Sequence, residues 1–145
     1  MGSGPLNVVL HVDGGARGNP GPAAAGVVIT DAADGQEIYK AGYYLGEATN
    51  NVAEYRGLIS GLAAAKQLGA ATVLAYSDSE LLVRQINGIY RVRQPHLKSL
   101  FERAQAEIGS LDRFAIEHVR REKNKEADRL VNLALDSRRD VLSPD

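Results

Sequence analysis

Cysteine and tryptophan are both absent from the 145 residues. Without cysteine there is neither a disulfide framework nor a thiolate metal site. No apolar run approaches the roughly 18 residues needed to span a bilayer, and the N-terminus lacks the basic stretch and apolar core of a secretory signal. The expectation is a soluble cytoplasmic protein with no membrane partner. Neither sign of charge is in excess: 17 basic and 18 acidic side chains leave a formal charge of −1. That is a low value for a protein that binds phosphate backbones, because such binding is largely electrostatic. Net charge averages over faces, however, and a site built from carboxylates would itself pull the sum down. The local distribution decides.

What is present is ordinary globular material. An apolar share of 44% and a charged share of 24% argue against disorder, and 145 residues suit one compact domain with a real core. A single domain over 1–145 is expected, with a flexible N-terminus over 1–5 and a mobile, charged tail over 138–145.

The hydrophobic pattern divides the chain. Residues 6–13, 25–30 and 37–46 are apolar and β-branched, are bounded by glycine, proline and Asp34-Gly35, and read as three hairpin-linked strands. The period then becomes helical, with Tyr55, Leu58, Ile59, Leu62, Ala65 and Leu68 on one face and Gly69 closing the segment. A strand over 72–78, a short helix through Leu81 and Ile86, and an amphipathic helix through Leu97, Phe101, Ala104 and Ile108 come next. A fifth strand over 114–120 and a last helix from about Asn124 complete the order. This βββ-α-β-αα-β-α order predicts an α/β fold, a five-stranded mixed sheet flanked by helices.

Four acids fall at element boundaries on that map. Asp13 and Asp78 end strands, and sites in α/β sheets form beyond strand ends, so these two could lie side by side. Glu54 and Asp128 each sit in the first turn of a helix. Oxygen ligands without cysteine suit a hard divalent ion, Mg²⁺ or Mn²⁺. Each acid also has a plain structural role open to it. Asp13-Gly14 opens turns, Asn51 and Glu54 have capping-box spacing, Asp78-Ser79 suits a helix cap, and Asp128 suits a helix dipole.

The local sequences around the acids resemble the ribonuclease H family, type HI. Asp13-Gly-Gly-Ala-Arg-Gly-Asn-Pro-Gly-Pro22 is similar to its D-G-x-x-x-x-N-P-G-P segment, and Thr49-Asn-Asn-Val-Ala-Glu54 to its T-N-N-x-x-E. Tyr76-Ser-Asp78-Ser matches its strand-end D-S, and His118-Val-Arg-Arg-Glu-Lys-Asn-Lys-Glu-Ala-Asp128 its last motif. The motifs occur in the family's order and span about Leu6 to Leu135. The resemblance implies a ribonuclease H-like fold and an endonuclease that cuts the RNA strand of RNA–DNA hybrids, leaving 5′-phosphate and 3′-hydroxyl ends. It implies Asp13, Glu54, Asp78 and Asp128 as catalytic metal ligands for two Mg²⁺ ions, with Mn²⁺ as a substitute. It places Asn19, Asn50 and Asn51 against the substrate backbone and RNA 2′-hydroxyls, and Thr49 against a phosphate of the DNA strand. Double-stranded RNA stands as a possible further substrate and a monomer as the expected state.

Three departures from that pattern narrow the branch. Relatives with a tryptophan-rich basic handle carry it after the second helix; here only Gly88–His96 links the two helices, with Arg84, Tyr90, Arg91, Arg93 and Lys98 around it. These could follow a phosphate backbone or form a solvated turn. Handle-bearing relatives place a histidine in the loop before the last acid. Here that loop reads Arg120-Arg-Glu-Lys-Asn124, similar to the R-E-x-N of the compact, handle-less, archaeal-like branch. The resemblance gives Arg121 a role at the scissile phosphate, since guanidinium pairs well with phosphate oxygens. Glu80 stands where those relatives often have glutamine, which puts that substrate contact in question. His11 and His118 are expected to pack within strands and His96 to be exposed.

Overall fold

The computed structural model describes residues 4–143. Of the expected N-terminal and C-terminal flexible stretches, residues 1–3 and 144–145 lie outside the described residues.

Three long strands open the chain: β1 (Leu6–Ala16), β2 (Gly21–Asp31) and β3 (Glu37–Ala48). They pair antiparallel, β1 with β2 and β2 with β3. Helix α1 (Asn50–Gln67) then crosses to β4 (Ala70–Ser77), which lies parallel to β1. Helices α2 (Glu80–Ile86) and α3 (Pro95–Gly109) cross to β5 (Arg113–His118), parallel to β4. A single 3₁₀ turn (Arg121–Lys123) leads into α4 (Lys125–Ser137). A sixth strand, β6 (Val141–Leu142), pairs antiparallel with β3, so the sheet order is β5-β4-β1-β2-β3-β6.

The sixth strand corrects the expected count of five, and it falls in the segment read as a tail. Two residues are too short to show a period of two, so no pattern betrays them. What holds them is the open edge of β3. Ser143 donates its backbone N–H to Lys40 O at 2.8 Å, and the Tyr44 N–H donates to Asp140 Oδ1 at 2.8 Å.

Alternation along the strands splits the core between two faces. Val8, Leu10, Val12, Val27, Ile29, Val73 and Ala75 pack with Leu58 and Leu62 of α1 and with Leu82, Leu97 and Ala104 of α2 and α3. On the other face Ala24 and Val28 meet α4 through Val131, Ala134, Ala127 and Leu130. The sheet is thus sandwiched, with three helices on one side and α4 on the other. Two close approaches matter for the site. A β-carbon on Gly14 would overlap the backbone of Ala53 and Glu54, so the first turn of α1 lies directly on the end of β1. A β-carbon on Gly26 would overlap the carbonyl oxygen of Ala127, so α4 lies equally close on β2.

Candidate active site

Register places the first two acids. Val12 of β1 faces Ser77 of β4 in parallel pairing, so Asp13 and Asp78 continue side by side from neighbouring strands. Glu54 reaches the same place because Gly14 lets α1 come down onto β1, and Asp128 because Gly26 does the same for α4. Together with Arg121 and Asn50, the four acids line a cleft of about 370 Å³.

The alternative local roles of these acids are taken by other residues. The cap of α1 is Thr49, whose hydroxyl accepts from Val52 N at 3.2 Å, so the Asn51–Glu54 capping box does not form. The cap of α2 is Ser79, which accepts from Leu82 N at 3.2 Å and leaves Asp78 free of that duty. The same hydroxyl donates to Glu54 Oε1 at 2.9 Å. Asp13 lies within β1 rather than in a turn and accepts from the N–H of Gly14 at 2.9 Å. Asp128 remains in the first turn of α4, where a negative charge also favours the helix dipole.

Electrostatics mark the cleft as short of positive charge. Asp13 is pushed up to about 8, by burial first and then by the charges of Asp78 and Asp128, against the lowering effect of the Gly14 N–H. Glu54 is pushed up to about 7 by burial, helped by Asp78 and opposed by the Ser79 hydroxyl. Carboxyls raised in this way regain their charge when a cation joins them. The donor set, oxygen without sulfur, fits Mg²⁺ or Mn²⁺. Among the described residues no three such side chains are gathered tightly enough to hold an ion as they stand.

The other expected residues fall into place unevenly. Arg121 lines the cleft with its side chain 86% exposed, its Nε 4.0 Å from Asp78 Oδ2. Asn50 also lines the cleft; its Oδ1 accepts from Ala16 N at 2.8 Å, while its own backbone N–H donates to Asn19 Oδ1 at 3.0 Å. Both asparagine carbonyls are thereby occupied, and no protein group among the described residues takes their side-chain N–H groups. Thr49 and Asn51 flank the cleft without lining it. Glu80 is paired with Arg84 at 2.6 Å, and that guanidinium lies 5.4 Å from the Tyr90 ring centroid. Its charge is therefore compensated within α2. His11 packs against Tyr76, 5.2 Å between centroids, and burial lowers its pKa. His118 is exposed on the edge strand β5, contrary to the packing expected of it, because a position on an edge cannot be told from an interior one by alternation. No histidine lines the cleft.

Sequence reasoning missed three residues here. Ser79 was visible only as an element of the D-S pair. Arg17 and Asn132 also line the cleft, joined by a 3.2 Å hydrogen bond, and Arg17 pairs with Asp136 at 2.8 Å. The two lie 115 positions apart in the chain, so no local pattern signals them.

Comparison with known proteins agrees with this fold. The family model described as reverse transcriptase-like matches residues 11–134. The N-terminal RNase H domain of Rv2228c from Mycobacterium tuberculosis, solved as a fusion with maltose binding protein, is 45% identical, with a TM-score of 0.88 over 91% of this chain and 95% of that one. The full bifunctional protein Rv2228c is 45% identical over 132 residues, and the chain spans 36% of its length. RNase H1 of the archaeon Halobacterium salinarum is 40% identical, with a TM-score of 0.88 over 90% of this chain and 98% of that one. LC11-RNase H1, a compost isolate solved in complex with an RNA/DNA hybrid, is 42% identical with a TM-score of 0.86 over 91% and 99%. With 40–45% identity to these relatives over about nine-tenths of its length and the same fold, the chain belongs to the ribonuclease H family, type HI.

Proposed function

We propose that this protein is a divalent-metal-dependent endoribonuclease that hydrolyses the RNA strand of RNA–DNA hybrids. The observation that carries the reading is the convergence of Asp13 of β1, Glu54 of α1, Asp78 just beyond β4 and Asp128 of α4 on one cleft that Arg121 also lines. In the reaction, water adds to a phosphodiester phosphorus, the P–O3′ bond breaks, and the ends are 5′-phosphate and 3′-hydroxyl.

The four carboxylates would hold two Mg²⁺ or Mn²⁺ ions. When bound, such ions supply Lewis acidity for the attacking water and charge neutralisation at the leaving oxygen. The chain's own groups do the rest. Asp13 and Glu54, raised toward neutrality by burial, give the metal-free cleft a reduced negative charge, which lessens repulsion of an incoming phosphate. Arg121, exposed and close to Asp78, is free to swing onto phosphate oxygens, where a guanidinium makes paired hydrogen bonds. A permanently charged guanidinium cannot serve as general base, so Arg121 steadies and does not move protons. The side-chain N–H groups of Asn19 and Asn50 point to recognition of a 2′-hydroxyl, the group that separates RNA from DNA. Asn51 extends this contact to the RNA strand, and Thr49 would meet a phosphate of the DNA strand. LC11-RNase H1, seen with a hybrid bound, supports the choice of substrate.

The test compares labelled hybrid, double-stranded RNA and duplex DNA, each with Mg²⁺ and with Mn²⁺. Hybrid should be cut in its RNA strand, with double-stranded RNA cut more slowly or not at all. Asp78→Asn, which removes one ligand charge without changing shape, should abolish cleavage and leave the circular dichroism spectrum intact. Near-wild-type cleavage by that variant, or cutting of duplex DNA alone, overturns the reading.

A further inference from the structure

Asn124 is buried beside the cleft yet belongs to none of the motif positions given a role above. It is 2% exposed. From its place at the start of α4 the side chain should cap the helix, but it makes no capping bond. Instead Nδ2 donates to the carbonyl oxygen of Val12 at 2.8 Å, joining residues 112 positions apart. Val12 immediately precedes Asp13. The Asn124 carbonyl accepts from the N–H of Asp128 at 3.1 Å, and its own N–H donates to Arg121 O at 2.9 Å. One residue therefore ties the strand end that carries Asp13 to the helix turn that carries Asp128, and closes the turn that carries Arg121.

We propose that Asn124 is a positioning residue, which sets the separation of Asp13 and Asp128 and through it the affinity of the cleft for divalent ions. This rests on the reading that the cleft binds such ions. The chemistry requires an amide. Only Nδ2 is used, since Oδ1 has no protein partner among the described residues. Aspartate has the same shape but would set an acceptor against the Val12 carbonyl. Leucine has similar bulk and no donor at all. Because the side chain does not cap α4, its loss should leave the helix in place while freeing the end of β1 to shift against it. Hydrogen bonds outside the ligand shell commonly control metal affinity in this way.

The test is calorimetric titration of Mn²⁺ into wild-type protein and into Asn124→Leu and Asn124→Asp without substrate, beside hybrid binding in EDTA. Mn²⁺ binding should weaken about 10-fold in both variants, the lower end of outer-shell effects. Hybrid binding in EDTA should not change. Asn124→Ala, which adds no bulk, replaces the leucine variant if that one does not melt cooperatively. Unchanged Mn²⁺ affinity alongside a lowered melting temperature would mean that Asn124 is a structural clip only, and overturns the inference. Absence of Mn²⁺ binding by the wild type would instead overturn the functional reading on which it rests.

Discussion

At the scale of single residues, the cleft depends on side chains that hold two roles at once. Ser79 accepts from the backbone of α2 and donates to Glu54 with the same hydroxyl. Ser79→Ala therefore removes a helix cap, worth about 1 kcal/mol. It also removes the group that lowers the pKa of Glu54, which burial has already brought to about 7. Glu54 in the variant stays protonated to higher pH. At fixed Mg²⁺ the acid limb of the pH–rate profile should move to higher pH, and Ser79→Thr, which keeps the hydroxyl, should restore it. A profile unmoved in Ser79→Ala would show that the hydrogen bond has no bearing on the acid. Asn50 is a second case: its backbone and side chain together brace the loop holding Asn19 while its amide faces the cleft.

At the scale of elements, contact between helix and sheet backbones brings the acids together. α1 sits on β1 at Gly14 and α4 sits on β2 at Gly26, with no room at either place for a β-carbon. Gly26→Ala must push α4 outward and carry Asp128 with it. Overpacking of this kind costs about 1–3 kcal/mol, and each kcal/mol lowers Tm by about 2–4 °C in a chain of this size. The expected outcome is a lower melting temperature together with weaker Mn²⁺ binding by calorimetry. An alanine variant with wild-type melting would show that α4 is not held this closely.

At the scale of the whole molecule, the raised carboxyls of the cleft make stability depend on pH. Asp13 at about 8 and Glu54 at about 7 are both raised from ordinary carboxylate values. The folded state therefore binds protons more tightly than the unfolded chain. The resulting stabilisation is fully present below the ordinary range near pH 4 and is lost as pH rises through 7 and 8. In EDTA, urea denaturation should show lower stability at pH 9 than at pH 5.5, and Asp13→Asn should flatten the difference. On the proposed function, divalent ions would bind the folded cleft and not the unfolded chain, so Mg²⁺ should restore stability on the alkaline side. Equal stability at both pH values in EDTA would show that burial and the neighbouring charges do not hold these carboxyls above their ordinary range.

Element types and their order were legible because long alternating and helical runs declare themselves. The alternation of Val8, Leu10 and Val12 and the helical spacing of Leu58 and Leu62 are examples. The four ordered motifs also single out Asp13, Glu54, Asp78 and Asp128. Three things were beyond reach of local pattern. The β6 pairing depends on a free edge of β3, the use of Asn124 on a carbonyl 112 positions away, and the choice between capping and the cleft on which neighbour each side chain meets. Local sequence determines which conformations a segment prefers, because those preferences act over a few residues. Which acids face one another was decided only when the close approaches at Gly14 and Gly26 brought distant turns into contact.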